Sequence, residues 1–397
     1  MKDMNMLSFP EVSDLTLEEK IGQMLCLGWG GDDSYLAVND QARACVSDLK
    51  AGGMIVMGRN VQSSGTETID AAAVRTMIAD LQALAPRIPL LIGTDQEGGR
   101  VARFGKAPFT RMPTAKAIGL AQSAELARAA ARATGKELAA VGVNWNFAPD
   151  ADVNSNPLNP VIGDRAFGDS PEIVSAMVAA QVKGYAEGGV LSCAKHFPGH
   201  GDTHLDSHLA LPSVDVSLEE LEARELVPFQ AAIKAEAAAL MTAHILFPQL
   251  DPSGVPATLS SVILTDLLRT SLGFTGLVVT DCLQMKAVAD HWGTPRAAVL
   301  AAKAGADMLL VCHTWEQQKE TFEALIAAVH NGELPLARVE EAVSRVLAAK
   351  RLAFAQAAPL LSVIGSPEHQ EVTDAITEAS GTAVISGPTT LGESAPA

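Results

Sequence analysis

The chain has 397 residues, with 46 acidic against 29 basic side chains, a formal net charge of -17 and only 4% aromatic residues. A nucleic-acid partner calls for a basic stripe, which is missing, and an anionic membrane surface would repel this charge, so neither is expected as a partner. Length allows two or three domains, or a single α/β barrel, which absorbs about 250 to 400 residues.

Met1–Asp14 lacks the basic-then-apolar layout of a secretory signal, and no apolar run approaches the ~20 residues that span a bilayer. Cys26, Cys45, Cys193, Cys282 and Cys312 are odd in number and scattered, which reads as free thiols in a reducing compartment. A cytoplasmic protein, monomeric and without a cofactor, is the expectation.

Thr16 followed by Glu19 predicts a capping box at the first helix. Eight short apolar runs then read as buried parallel strands: Met24–Leu27, Gly53–Met57, Leu90–Thr94, Val143–Phe147, Leu191–Ala194, Ala239–Ala243, Leu277–Thr280 and Met308–Val311. Between them, apolar residues at three-to-four spacing predict helices, among them Ala124–Val141, Glu172–Glu187, Leu218–Ala238, Leu259–Leu272 and Pro295–Ala304. Strand and helix in eightfold alternation predict an α/β fold of the (β/α)8 TIM-barrel type over residues 1–353, closed by Leu336–Leu352. Residues 354–397 form a short C-terminal extension with a helix at Ser366–Ser380, a strand at Thr382–Ile385 and a disordered tail. They are too few for a second core.

Barrel enzymes carry their chemistry at the carboxyl ends of the strands. Here those positions hold Arg59, Asp95, Asp150 or Asp152, Lys195 with His196, His244, Asp281 and His313. The densest stretch, Lys195 to His208, packs four histidines and two aspartates into 14 residues. His196, His200, His204 and His208 recur every four residues, which on a helix would suggest a metal site. Pro198, Gly199 and Gly201 break any such helix, which favours an acid/base and substrate-binding loop over structural, hydrogen-bonded histidines and over a metal centre.

Within it, Asp206 and His208 are two apart and can share a face of an extended chain. A carboxylate so placed would fix the imidazole tautomer and raise its pKa, making His208 a candidate general acid and base; a plain surface pair is the equal alternative. Asp281, at the end of the run Gly276–Thr280, is either a cleft carboxylate that attacks carbon or a helix N-cap. Asp95 could hold substrate hydroxyls. Cys282 has no sequence neighbour that would lower a thiol pKa and is expected to be core filler.

The motif Lys195-His196-Phe197-Pro198-Gly199-His200-Gly201 followed by Asp206-Ser207-His208 resembles the β-N-acetylglucosaminidase branch of glycoside hydrolase family 3. Thr94–Val101, Asn159–Gly168 and Thr280-Asp281 fall in that family's order, and the likeness runs from about Leu15 to Leu352. The resemblance implies a retaining exo-hydrolase that releases terminal β-linked N-acetylglucosamine, with peptidoglycan fragments as its carbohydrate substrate in cell-wall recycling. By position it implies Asp281 as nucleophile and His208 as acid/base with Asp206 as its partner. Asp95, Arg103, Arg165, Lys195 and His196 would hold the sugar, and no metal is implied. The stretch Ser366–Gln370 resembles the start of a second domain in longer relatives, so the extension reads as a remnant. A β-N-acetylglucosaminide phosphorylase on the same fold, a metal-dependent hydrolase using the His-rich loop and a non-catalytic sugar-binding barrel are the rival readings.

Overall fold

Strands buried on both faces are expected to be largely apolar on both, and apart from the buried polar Asn144 and Asn146 in Val143–Phe147 the eight runs largely follow this. In the computed structural model, which describes residues 9–63, 65–207 and 210–382, they form β1 (Leu25–Leu27), β2 (Gly53–Ile55), β3 (Leu91–Thr94), β4 (Trp145–Asn146), β5 (Leu191–Phe197), β6 (Ala239–Thr242), β7 (Leu277–Thr280) and β8 (Leu309–Val311). The sheet runs in the order β8-β1-β2-β3-β4-β5-β6-β7, all parallel. A bridge between Val279 and Met308 closes it, with Thr280 N–H donating to the Met308 carbonyl at 3.0 Å. The fold is the (β/α)8 barrel that the alternation predicted.

Side chains alternate as a pleated strand requires. Cys26, Ile55, Leu91, Trp145, Cys193, Met241, Val279 and Leu310 pack together as one interior cluster. Their neighbours Leu25, Leu27, Met54, Ile92, Leu240, Val278, Leu309 and Val311 join the larger core with the surrounding helices. Val346, Ala349 and Ala353 of the helix Leu336–Ala353 add to the interior cluster.

The Thr16–Glu19 capping box is present, and the helix Ala124–Val141 has the expected bounds. Three elements differ. β5 runs on through Lys195-His196-Phe197 because Phe197 pairs with Thr242 past a register shift. The helix expected over Leu218–Ala238 is two, Leu218–Ala223 and Leu226–Lys234. Pro228 has no N–H to return to Arg224, so it is tolerated only in the first turn of a new helix. Leu259–Leu272 is a π-helix over Val262–Ser271, in which the Thr270 and Ser271 hydroxyls reach the carbonyls of Thr265 and Asp266, five residues back.

The extension packs on the barrel's outer helices. Buried Glu137 accepts hydrogen bonds from Thr110 N–H (2.9 Å) and hydroxyl (2.6 Å), from Gly365 N–H (2.9 Å) and from His369 Nδ1 (2.8 Å). Ile376, on the helix Pro367–Ser380, belongs to the main core. The strand expected at Thr382–Ile385 and the tail Gly387–Ala397 lie, apart from Thr382, outside the described residues.

At the amino end of β8, Asp307 is fully buried and bonded to Arg269 (2.5 Å), Arg338 (2.7 Å) and Arg345 (3.1 Å). Lys350, equally buried, reaches one side-chain partner, Gln23 Oε1, at 2.6 Å. Burial pushes its amine down to about 7 from an ordinary 10.5. A lowered lysine pKa means that the folded chain holds fewer protons than the unfolded one between pH 7 and 10.5. Stability therefore rises with pH across that window and bears the full penalty below it. Lys350→Met is expected to raise stability at pH 7 by an amount on the order of a few kcal/mol, with the gain shrinking toward pH 10 in urea melts. A gain independent of pH would refute the assignment.

Candidate active site

The mouth at the carboxyl ends of the strands is built on buried charge. Asp95 follows β3, and a hairpin of Gln96–Gly98 with Val101–Ala102 turns the chain back. Arg103 thereby donates its N–H to the Asp95 carbonyl at 3.1 Å and its guanidinium to Asp95 Oδ2 at 3.2 Å. Lys195, near the end of β5, donates to Asp95 Oδ1 at 3.0 Å and lies 2.6 Å from Glu97 Oε1. Arg165 grips Glu97 with two hydrogen bonds of 2.9 Å each and approaches Asp150 at 3.7 Å. Asp152 accepts from His196 Nδ1 at 2.7 Å and from the backbone N–H groups of His196 (3.2 Å) and His200 (2.7 Å).

These contacts set the protonation states. Burial alone would raise the Asp95 carboxyl, but Lys195 and Arg103 hold it well below the usual carboxylate range. Glu97 is likewise desolvated, yet Arg165 and Lys195 draw it down to about 2. Asp152 is brought to about 2 by His196 against its own burial. Asp150 goes the other way, raised by burial and by Asp152 beside it. Three carboxylates thus face three cations, and Asp150 is the one acid of the four whose carboxyl is raised.

The loop after β5 is tied down residue by residue. Asn159 donates to the carbonyls of His200 (2.8 Å) and Gly201 (3.1 Å), Asn156 to that of Thr203 (2.9 Å), and Arg224 to Asp202 (2.8 Å). Gly201 is obligatory, since a Cβ there would lie 1.6 Å from the Val153 carbonyl oxygen. The His200 imidazole bridges the hydroxyls of Thr203 (2.9 Å) and Ser207 (3.0 Å), and burial pushes it down to about 4, so it sits neutral between them. Asp206, next to Ser207, is half-buried at the cleft. His208 lies outside the described residues.

One cleft of about 530 Å³ is lined by Asp95, Arg103, Arg165, Lys195, His196, Asp206 and Asp281, the seven described residues to which the family resemblance assigns a role. Asp281 Oδ1 accepts the Cys282 N–H at 2.7 Å, and the next helix, Lys286–Trp292, is capped at Met285, so Asp281 is not its N-cap. His313 also lines the cleft. Arg59 and His244 instead brace its wall: Arg59 donates to the carbonyls of Trp29 and Cys312, each at 2.7 Å, and His244 Nε2 contacts that of Cys282 at 3.0 Å.

Glu97 was missed among the selected residues, and the choice between Asp150 and Asp152 was left open. Glu97 bridges Lys195 and Arg165, and its position two residues after Asp95 in an extended chain was the available signal. Asp152 orients His196, and nothing local in the sequence distinguishes it from Asp150. Asp150, Asp152 and His196 bring three possible metal-ligand atoms within 4.8 Å of one another. Arg165, 3.4 Å from His196 Nε2 and 3.7 Å from Asp150, already supplies the positive charge there.

A closed parallel barrel with a carboxylate-rich cleft at the carboxyl ends of its strands is the arrangement of a barrel enzyme. The chain matches the glycosyl hydrolase family 3 N-terminal domain over residues 16–349, and it belongs to that family of glycoside hydrolases. It is 37% identical over 354 residues to the β-hexosaminidase A of Pseudoalteromonas piscicida, a match covering 82% of this chain and 58% of that protein. It is 38% identical over 305 residues to a β-hexosaminidase of Chromobacterium violaceum, covering 75% and 81%. Among solved structures, a family 3 β-N-acetylglucosaminidase from Paenibacillus is similar with a TM-score of 0.86 and 43% identity, over 92% of this chain and 69% of that one. A β-glucoside phosphorylase is similar with a TM-score of 0.81 and 28% identity, over 92% and 65%.

Glu97→Gln removes the anion shared by Lys195 and Arg165. Losing one partner of a buried pair costs about 3–5 kcal/mol, so a clear drop in melting temperature is expected. A melting temperature within one degree of the parent would show that the bridge is not formed.

Proposed function

We propose that the protein is a retaining, exo-acting β-N-acetylglucosaminidase that releases terminal β-linked N-acetylglucosamine. What carries the reading is a single cleft onto which Asp281, Asp206 and five candidate sugar-holding side chains converge. The similarity to β-hexosaminidases and to a β-N-acetylglucosaminidase supports the choice of sugar. In this reading the carboxylate of Asp281 attacks the anomeric carbon and forms a glycosyl ester, while His208 gives its proton to the departing oxygen. His208 then takes a proton from the water that cleaves the ester, and Asp206 orients the imidazole for both steps. Asp95, ionised and flanked by Arg103 and Lys195, accepts hydrogen bonds from sugar hydroxyls. Arg165, Lys195 and His196 donate to sugar oxygens.

Peptidoglycan fragments are the proposed natural substrate, handled by a monomer in the cytoplasm. No helix among the described residues is long and apolar enough to cross a membrane. Residues 1–353 are proposed as the catalytic unit and 354–397 as the remnant of a further domain.

Asp281→Ala is expected to lower turnover of an aryl N-acetyl-β-glucosaminide by a factor on the order of 10⁴ or more with the melting temperature retained. His208→Ala should cost about 10²–10⁴-fold on a substrate with a poor leaving group and far less on an activated aryl glycoside. Equal losses on both would remove His208 as the acid. Free sugar should be released in the presence of phosphate and of chelator; sugar 1-phosphate would indicate a phosphorylase, and loss on chelation a metal-dependent enzyme.

A further inference from the structure

The C-terminal extension is connected to the wall of the cleft through one short segment of chain. After Arg103 the chain leaves the mouth of the barrel, with Phe104 N–H donating to Gln96 Oε1 at 2.9 Å. It comes back at Met112, whose carbonyl accepts the Gly99 N–H at 2.9 Å. The turn Gly98-Gly99 of the hairpin lies directly on the residues that follow. A Cβ at Gly98 would fall 2.5 Å from the Pro113 carbonyl oxygen, and one at Gly99 2.5 Å from Thr114 Cγ2. Both glycines have positive φ, 104° and 55°, a backbone that side chains rarely adopt. The hairpin that presents Asp95, Glu97 and Arg103 therefore rests on residues 112–114.

The extension holds that segment from behind. Glu137, on the helix Ala124–Val141, accepts two hydrogen bonds from Thr110 and two from the extension, Gly365 N–H at 2.9 Å and His369 Nδ1 at 2.8 Å. A buried carboxylate needs its donors, so one side chain ties segment and extension together. Thr373, one turn after His369, sets its hydroxyl 3.7 Å from Met112 Sδ. Gly365 presses on Pro108, where a Cβ would lie 2.2 Å from the carbonyl oxygen. Glu137, His369 and Thr373 are all buried, and none of them lines the cleft.

We propose that the extension is a positioning element for the cleft, with Glu137 and His369 as its positioning residues: it clamps Thr110–Thr114 and thereby fixes the hairpin that places Asp95, Glu97 and Arg103. Removing the His369 donor leaves Glu137 short of a partner in the interior, and Thr110 shifts as the carboxylate seeks water or another donor. The displacement passes to Met112 and the glycine turn, and a misplacement of about 1 Å at a binding side chain weakens its hold. The clamp stands on these contacts alone; its effect on sugar binding rests on the reading of Asp95 and Arg103 given above. Asp281 follows β7 and is not carried by this hairpin, so the loss falls on binding more than on the chemical step.

The full chain carrying His369→Ala is assayed well below its melting temperature. KM for the aryl glucosaminide and the inhibition constant of free N-acetylglucosamine should rise about threefold or more. The turnover number kcat should change by less than about twofold. His369→Gln, whose amide can still donate to Glu137, should restore most of the parent KM. Thr110→Val removes a donor on the other side of the clamp; it should act like His369→Ala and replaces it should that variant not fold. Val339→Ala, a core substitution in the helix Leu336–Ala353, should lower the melting temperature and leave KM at the parent value. Deuterium exchange over residues 96–104 should quicken by about tenfold in His369→Ala and Thr110→Val, and not in Val339→Ala. Unchanged exchange in the first two overturns the clamp. A KM rise in Val339→Ala as large as in His369→Ala makes the effect one of general stability and overturns the positioning role. A His369→Gln chain as impaired as His369→Ala removes the hydrogen bond to Glu137 as the link. Quickened exchange with unchanged KM overturns the effect on binding alone. Quickened exchange in a variant whose parent hydrolyses no aryl glucosaminide supports the clamp and counts against the proposed function.

Discussion

Everything at the mouth of this barrel depends on Lys195 and Arg165 being neutralised inside the protein. Both are nearly excluded from water and share one carboxylate, Glu97. Desolvating charges costs several kcal/mol each unless they are paired, so three acids and three bases have to arrive together. The pairing fixes each side chain in one geometry before any ligand binds. Asp95 is held on two sides and Asp152 aims His196. Under the proposed function, a sugar entering the cleft would meet hydrogen-bonding partners already oriented, so little would be lost to reorganisation.

The two ends of the barrel use buried charge differently. At the amino end, Asp307 is surrounded by three arginines that join the π-helix Val262–Ser271 and the helix Leu336–Ala353 to β8. None of those four residues lines the cleft. There the acid acts as a joint between elements. At the carboxyl end the same kinds of side chain border about 530 Å³ of open space. The extended end of β5, which carries Lys195 and His196, and the segments that follow the strands make that distinction.

The barrel was legible because its signal is repetitive: eight apolar runs separated by amphipathic helices constrain one another, and a boundary error in one does not propagate. The site was legible in position, since charged residues accumulate where strands end, and seven selected residues do share the cleft. Pairing was not legible. Whether Asp150 or Asp152 holds His196 depends on a strand end 44 residues away, and both aspartates satisfy every local rule. The break before Leu226 was visible in Pro228, and an unbroken apolar period masked it. The π-helix had no local marker.

Cys282 shows the same limit from the opposite direction. Its sequence neighbours carry no charge that would stabilise a thiolate, and that reasoning holds along the chain. Barrel closure brings Cys282 and Cys312, from opposite sides of the β7–β8 seam, into one interior cluster and onto the wall of the cleft. Closure of a sheet on itself creates neighbours between its seventh and eighth strands that no local pattern contains. The contacts most easily overlooked in a barrel therefore lie at its seams, and here one seam opens beside Asp281.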